Sequence, residues 1–155
     1  MEEQKIDVTH TAQREITATR VIPASRAKVF RVWTDAGHIV HWWGPNGFTS
    51  TIESMDVRPG GVWQFVMHGP DGKDYKNQSV YVEVTRPDRL VYDHVSGPKF
   101  RATVTFEEMG GETKLSMQML FETAAERDKT IEVFGAVEGL NQTLTKLARY
   151  VARLE

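Results

Sequence analysis

The sequence contains no cysteine among its 155 residues, and this absence excludes disulfide bonds, thiol catalysis and cysteine-ligated metal sites. It has no marked excess of one charge either. The formal net charge is -2, so nucleic acid and anionic membranes are not expected as partners. No apolar run is long enough to span a membrane, and the polar, acidic start of the chain does not resemble a signal peptide. Together these absences predict a cytoplasmic protein.

The motifs of several enzyme classes are missing as well. There is no Gly-x-Ser-x-Gly elbow of a hydrolase, and Gly60-Gly61 lacks the lysine and the following helix of a phosphate-binding loop. No pair of histidines has a metal-binding spacing such as His-Glu-x-x-His; the five histidines are His10, His38, His41, His68 and His94. We therefore predict no metal, no cofactor and no nucleophilic hydrolysis.

The length and the hydrophobic content of 40% predict one domain with a substantial core. We expect a flexible lead-in over residues 1–13 and a single domain over residues 14–155. Alternating apolar residues predict a first strand over 14–22. Ser25 is a good helix N-cap for a helix that ends near Thr34, and Asp35 is a good cap for a second short helix through Trp42 or Trp43.

The middle of the chain alternates between apolar and polar residues and is divided by proline and glycine turns. This pattern predicts six further strands in an antiparallel meander, over residues 48–57, 62–68, 76–84, 90–94, 100–107 and 113–121. The last 30 residues change period: apolar residues recur at spacings of three and four, which predicts one long helix over about 124–153. Val137, Leu140, Leu144 and Leu147 should be its buried face.

Two glycines interrupt that helical pattern. Gly135 and Gly139 are each about 1 kcal/mol worse than alanine inside a helix. Either they allow a close approach of the sheet, a ligand or the Trp42-Trp43 segment, or this half of the helix is poorly optimised. A curved sheet that clasps the helix satisfies the order of the elements, and incomplete closure would leave a cavity between them.

Several segments carry a resemblance to known proteins: Ala27-Lys28-Val29-Phe30, Trp33-Thr34-Asp35, Trp42-Trp43, Arg58-Pro59-Gly60-Gly61, Gly69-Pro70-Asp71-Gly72 and Arg86-Pro87-Asp88-Arg89-Leu90-Val91-Tyr92. With these the chain resembles the SRPBCC superfamily, also called the START or birch-pollen-allergen-like fold. Within it, the chain is similar to the family of activator of heat-shock protein 90 ATPase homologues. The resemblance implies an α+β helix-grip fold. The superfamily includes lipid carriers, hormone receptors and aromatase/cyclases.

From this fold we expect a ligand site in the cavity, and eleven residues are candidates to line it: Trp42, Trp43, Trp63, Phe65, Met67, His68, Tyr81, Glu83, Tyr92, His94 and Phe134. Adjacent residues of a helix point about 100° apart, so one ring of the tryptophan pair should pack into the core and the other should border the cavity mouth. The alternative is that both rings serve packing alone. Trp63, Phe65 and Met67 share a strand face that is either core or cavity wall.

The faces of Tyr81 and Glu83 remain open. The two residues alternate with valines, so either they face solvent or Glu83 points into the cavity, where desolvation would raise its pKa. His68 and His94 end sheet strands and are candidates for hydrogen bonding to a ligand or for proton transfer.

These features predict binding of a small, largely apolar molecule by a carrier or sensor, with no catalytic residue assigned. One alternative is an enzyme of the cyclase or dehydratase type, which would use Glu83, His68, Asp93 or His94 for proton transfer. Another is a module that interacts with a chaperone. Eukaryotic activators carry a separate N-terminal domain and no segment of that size precedes Arg14, so chaperone activation is not expected. The sequence leaves homodimerisation open.

Overall fold

The computed structural model describes residues 11–154 of the chain. The predicted lead-in over residues 1–10, with His10, and the last residue lie outside the described residues. The rest of the predicted lead-in ends in a short 3-10 helix, Thr11–Arg14, directly before the first strand.

The described chain forms one seven-stranded antiparallel sheet and four α-helices. In chain order these are β1 (Glu15–Ile22), α1 (Arg26–Thr34), α2 (Ala36–Ile39), β2 (Thr49–Met55), β3 (Val62–His68), β4 (Asp74–Thr85), β5 (Arg89–His94), β6 (Phe100–Met109), β7 (Glu112–Leu120), α3 (Ala124–Phe134) and α4 (Ala136–Ala152). The strand order across the sheet is β1-β7-β6-β5-β4-β3-β2. The predicted α+β helix-grip architecture is therefore confirmed. Within residues 11–154, no helix combines the length and the apolar character needed to cross a bilayer.

Both predicted helix caps are present at the start of the short helices. The hydroxyl of Ser25 accepts a hydrogen bond from the amide of Lys28, and the carboxylate of Asp35 accepts one from the amide of Gly37. However, α2 ends at Ile39, earlier than predicted. Its last turn tightens, with the His41 amide donating to the His38 carbonyl three residues before. The two tryptophans therefore lie in the turn that follows the helix.

Two β-bulges interrupt the half of the sheet that β2, β3 and β4 form. One lies between Ile52 and Ser54 of β2, and the other lies between Tyr81 and Glu83 of β4. A bulge adds one residue to a strand, bends it and increases its twist. In β4 the extra residue is Val82, so Tyr81 and Glu83 are on opposite faces of the sheet. The predicted sharing of a face by these two residues is wrong, because it assumed unbroken alternation.

The core lies between the sheet and two helices. α1 contributes Val29, Phe30 and Trp33, and α4 contributes a stripe at spacings of four, three and four that comprises Leu140, Leu144, Leu147 and Val151. All of these side chains are buried. This stripe is the buried helix face that the sequence predicts, except for its first member. Val137 is 39% exposed, so the prediction that it is buried is wrong.

The predicted long helix is broken two residues before Val137. Gly135 adopts left-handed backbone angles, with φ 59° and ψ 43°, and its amide donates to the carbonyl of Ile131. A glycine in this conformation ends a helix at little cost, because it carries no Cβ. The C-terminal segment is therefore two helices. Val133 lies in the last turn of α3 and Val137 in the first turn of α4, and both are exposed beside the break.

The two glycines of this segment should respond in opposite ways to alanine. Gly135→Ala should destabilise the protein by about 1–2 kcal/mol, because an L-residue is strained in the left-handed region. Gly139→Ala should stabilise it by up to about 1 kcal/mol, because alanine is the better helix former. A Cβ at Gly139 would meet only Pro45, at 3.7 Å, an ordinary contact. Urea unfolding of the two variants measures both effects, and equal changes would contradict this account of the break.

The central contact of α4 can be tested at Leu144, which is 1% exposed. Leu144→Ala should lower the free energy of unfolding by about 2–5 kcal/mol, through lost burial and the cavity that remains. The exposed Val133→Ala offers a control on α3 and should change stability by no more than about 0.5 kcal/mol. Similar losses in the two variants, measured by chemical denaturation, would show that α4 does not carry the core.

Candidate functional site

A cavity of about 220 Å³ that is open to solvent on one side lies between the concave face of the sheet and the junction of α3 and α4. Its sheet wall consists of inward-facing side chains of five adjacent strands: Trp63, Phe65, Met67, Asn77, Ser79, Tyr92, His94, Phe100, Met117 and Met119. These side chains come from alternate positions, because every second residue of a strand faces the same side. Pro98, which precedes β6, completes this wall.

The opposite wall comes from the two C-terminal helices. α3 contributes Thr130 and Phe134, and α4 contributes Ala136, Gly139, Leu140 and Thr143. Phe134 is 59% exposed although it borders the cavity, so it lies at the entrance. The left-handed turn at Gly135 separates Phe134 from Ala136 and thereby sets the shape of this edge.

The two tryptophans lie beyond the helix on which the prediction placed them, and they differ in burial. Trp42 is fully buried, and its ring centroid lies 4.9 Å from that of Trp33. Its indole nitrogen donates a hydrogen bond to the carbonyl oxygen of Val32 at 3.2 Å. Trp43 is half-buried, borders the cavity and makes edge contacts with Trp63 at 5.0 Å and with Phe65 at 6.2 Å. One ring therefore fixes the turn to the core, and the other forms part of the cavity wall.

The segment after Trp43 is tied to α4. The Lys146 ammonium donates to the carbonyl oxygen of Gly44 at 3.0 Å, and the amide of Asn46 donates to the side-chain oxygen of Gln142 at 3.0 Å. Burial lowers the pKa of Lys146. These bonds hold the loop that carries Trp43 against the helix that carries Leu140.

His94 is the only histidine among the described residues that line the cavity. Its Nδ1 donates to the Pro98 carbonyl oxygen at 2.7 Å, so in the neutral ring Nε2 can only accept a hydrogen bond. The Ser96 hydroxyl, a possible donor, lies 3.4 Å from Nε2, and the side-chain oxygen of Asn77 lies 2.7 Å from it. Its ring stacks on Phe100 with a centroid distance of 4.8 Å. Burial lowers the pKa of His94, and the hydrogen bond to Pro98 offsets part of that effect. Burial also raises the pKa of Tyr92, so its hydroxyl stays protonated at neutral pH.

The structure brings seven of the eleven predicted residues to the cavity: Trp43, Trp63, Phe65, Met67, Tyr92, His94 and Phe134. The other four lie elsewhere. Trp42 belongs to the core, and Tyr81 is buried beside the cavity, with its ring nearly parallel to that of Trp63 at 6.3 Å. His68 and Glu83 lie on the opposite face of the sheet.

The positions of His68 and Glu83 have simple causes. His68 follows Met67 in β3, so the alternation of side chains directs it to the outer face. There its Nδ1 lies 2.8 Å from a carboxylate oxygen of Asp74, and its Nε2 lies 2.7 Å from the hydroxyl of Thr51. Glu83 follows the bulge and pairs with Arg89 at 3.2 Å. Neither can serve as a proton carrier in the cavity, so these two predictions are wrong. Asp93, another acid–base candidate, also faces outward and binds Arg101 through two hydrogen bonds.

Sequence reasoning missed the polar residues of β4 and the methionines of β7. Ser79 and Asn77 precede Tyr81 by two and four positions, and Met117 precedes Met119 by two. The two-residue alternation that places each group on one strand face was therefore present in the sequence. What was missing was a reason to choose one face of β4, because both faces begin with polar residues.

A second, wider groove of about 530 Å³ lies on the outside, where Asp93, Lys99, Arg101 and Glu122 contribute charged side chains. It shares His94 and Phe100 with the cavity. We assign the candidate site to the smaller cavity, because ligand sites are usually enclosed and mostly apolar. Across residues 11–154, no three His, Asp or Glu side chains gather in a way that would hold a metal ion.

Comparison with known proteins identifies a family. The profile of the family described as "Activator of Hsp90 ATPase homolog 1-like protein" matches residues 23–152. No curated protein matches the chain.

Solved structures match the fold over nearly the whole chain. A protein from Arthrobacter aurescens superposes with a TM-score of 0.86 at 21% identity, covering 93% of this chain and 89% of its own. A protein from Nitrosomonas europaea gives a TM-score of 0.84 at 20% identity, covering 96% and 100%. An AHSA1-like protein from Aeromonas hydrophila gives a TM-score of 0.71 at 21% identity, covering 89% and 92%. At these identities the likeness establishes the fold alone.

The buried imidazole should make stability depend on pH. The pKa of His94 is lower in the folded protein than in the unfolded chain, where it is about 6.5. Below that value the unfolded chain binds more protons at His94 than the folded protein does. The contribution of His94 to the free energy of unfolding should therefore fall with decreasing pH, by at most about 1.4 kcal/mol per pH unit. His94→Gln should remove this part of the slope between pH 7 and pH 5. Urea titrations measure it, with pH 8 as the reference where the ring is neutral in both states; an unchanged slope would contradict the assignment.

Proposed function

The chain belongs to the family of Activator of Hsp90 ATPase homolog 1-like proteins, and from this membership and the cavity we propose that it binds a small, largely apolar molecule. The molecule would lie between the concave face of the sheet and the α3–α4 junction. The protein would act as a carrier or sensor, and the lack of cysteine supports a cytoplasmic location.

The cavity is the observation that carries this proposal. A cavity of 150 Å³ lined by apolar side chains stays dry and binds benzene. The cavity here measures about 220 Å³, so it has room for a molecule of about two fused rings. Aromatic rings and the thioethers of Met67, Met117 and Met119 form much of its wall. Methionine adapts its shape to irregular apolar ligands, which suits a binding role.

The arrangement supports binding over catalysis. Of the four residues considered for proton transfer, only His94 borders the cavity. The Nδ1 of His94 is already engaged by Pro98, the Ser96 hydroxyl lies 3.4 Å from its Nε2, and none of the described cavity-lining residues is a carboxylate. General acid–base catalysis needs a group within hydrogen-bonding reach of the reacting proton.

The exposed apolar side chains fit the same proposal. Val133, Phe134 and Val137 surround the turn at Gly135 and are 59%, 59% and 39% exposed. Since Phe134 also borders the cavity, this cluster accounts for an entrance through which an apolar molecule passes. A chaperone-binding module would instead be expected to combine such a patch with a filled core.

Naphthalene is a suitable probe, since its size matches the cavity. It should bind the native state and raise the melting temperature with concentration, by an amount equivalent to about 2.7 kcal/mol at one hundred times its Kd. Ala136→Phe, which fills the cavity from α4, should abolish the shift. Val82→Phe adds the same ring at an exposed position of β4 that does not line the cavity, and it should retain the shift. Calorimetric titration and thermal unfolding measure binding and stability.

The tryptophan pair separates a role in binding from a role in folding. Trp42→Ala should cost about 3–5 kcal/mol of stability, because a fully buried ring is lost. Trp43→Ala should cost less and should weaken naphthalene binding, because this ring belongs to the cavity wall. Equal stability losses with unchanged probe affinity would remove Trp43 from the site. Absence of any naphthalene binding by the unmodified protein would refute the proposed function.

A further inference from the structure

Four buried side-chain polar atoms have no hydrogen-bond partner among the described residues, and three of them belong to residues that line the cavity: the indole nitrogen of Trp63, the hydroxyl of Ser79 and the hydroxyl of Tyr92. The fourth, the indole nitrogen of Trp33, belongs to the core. Trp63, Ser79 and Tyr92 are at most 2% exposed. Buried polar groups are nearly always paired, and those that are not call for an explanation such as a ligand or an ordered water. Their occurrence together in one wall makes the ligand the more economical account.

The sheet register brings these three residues together. Trp63 of β3 lies opposite Ser79 of β4, and Ser79 lies opposite His94 of β5. Tyr92 precedes His94 by two positions on the same face of β5. The rings of Trp63 and Tyr92 are in edge contact, with centroids 5.4 Å apart. The three groups therefore belong to neighbouring residues on the inner face of the sheet, and we call these three residues the donor patch.

The chemistry of the donor patch indicates which hydrogen-bonding group a ligand must present to it. The indole nitrogen can only donate, and a protonated phenol and a serine hydroxyl can both donate as well. Other polar side chains of the cavity are already used. The hydroxyls of Thr130 and Thr143 each donate at 2.8 Å to a carbonyl of their own helix, and the amide nitrogen of Asn77 donates to the Tyr75 carbonyl at 2.9 Å. The indole nitrogen therefore requires an acceptor, and each of the two hydroxyls can donate to one as well.

The charge of the wall restricts that acceptor further. No Lys, Arg, Asp or Glu is among the described residues that line the cavity. His94 is the one ionisable cation available, and burial lowers its pKa. A carboxylate would enter without a counter-charge, and burial of an unpaired charge is strongly unfavourable. A neutral oxygen atom can accept hydrogen bonds without this cost.

We infer that the ligand carries a neutral carbonyl group that accepts hydrogen bonds from the donor patch, on an apolar body of about two rings. This inference rests on the proposed function and specifies the class of ligand for the same cavity.

A matched series of probes tests the inference: 2-isopropylnaphthalene, the ketone 2-acetonaphthone of nearly the same shape, and the anion 2-naphthoate. The ketone should bind about tenfold more tightly than the hydrocarbon, as expected for net hydrogen bonds to buried donors. The anion should bind more weakly than the ketone. The carbonyl stretching frequency of the bound ketone should fall, because hydrogen bonding weakens the C=O bond.

Two variants remove donors while keeping shape. Tyr92→Phe and Ser79→Ala should each weaken ketone binding about threefold to tenfold and leave hydrocarbon binding unchanged. Thr143→Val is the control, since its hydroxyl borders the cavity but already donates to Gly139. It should leave the preference for the ketone intact. Tyr92→Phe should not lower the melting temperature of the free protein, because the lost hydroxyl has no hydrogen-bond partner among residues 11–154.

The outcomes separate the two proposals. If the hydrocarbon binds and the ketone binds no better, or if the donor variants leave the ketone preference unchanged, this inference fails and the proposed function stands. Tightest binding of the anion would overturn the neutral character of the head group. If no probe of the series binds, both the proposed function and this inference fail.

Discussion

The contact between the apolar stripe of α4 and the concave face of the sheet is the interaction on which the rest of the structure depends. Leu144 and Leu147 lie at its centre and are almost fully buried. The stripe ends at Leu140, which belongs both to the core and to the cavity wall. The cavity therefore begins where the apolar side chains of α4 no longer cover the concave face of the sheet. A continuous helix would carry its apolar face further along the sheet, whereas the turn at Gly135 leaves that space open.

The aromatic side chains keep this space from collapsing. Trp33 of α1 meets both Trp42 and Trp43, and Trp43 meets Trp63 of β3, with each pair in an edge arrangement. Edge contacts of this kind add about 0.5–1.5 kcal/mol each beyond the burial of area. The chain of rings links the first helix, the following turn and the sheet. Together with the Lys146 bond to Gly44, it holds the loop wall at a fixed distance from α4.

The elements that the sequence predicts well are those set by local chemistry. Ser25 caps α1 because its hydroxyl can reach an amide of the first turn. The residues of β3 alternate along the strand, and β3 pairs with β4 in one unbroken register. The errors have non-local causes. Nothing local to Val82 announces a bulge, because the pairing with β5 decides it. Gly135 is visible in the sequence, but whether a glycine bends or ends a helix depends on what its flanking turns can pack against.

Both departures from regular pattern shape the candidate site. Without the bulge, unbroken alternation from Tyr81 would turn Glu83 to the inner face, and the wall would gain a carboxylate. The bulge instead directs Glu83 outward to Arg89 and leaves the inner face of β4 with Ser79 and Asn77. Without the break at Gly135, α3 would continue along the sheet and reduce the space. Unfilled volume and unpaired donors both lower stability, and here they coincide in one cavity. A domain selected for packing alone would remove them by a few substitutions, so their concentration in one place is what a binding site predicts.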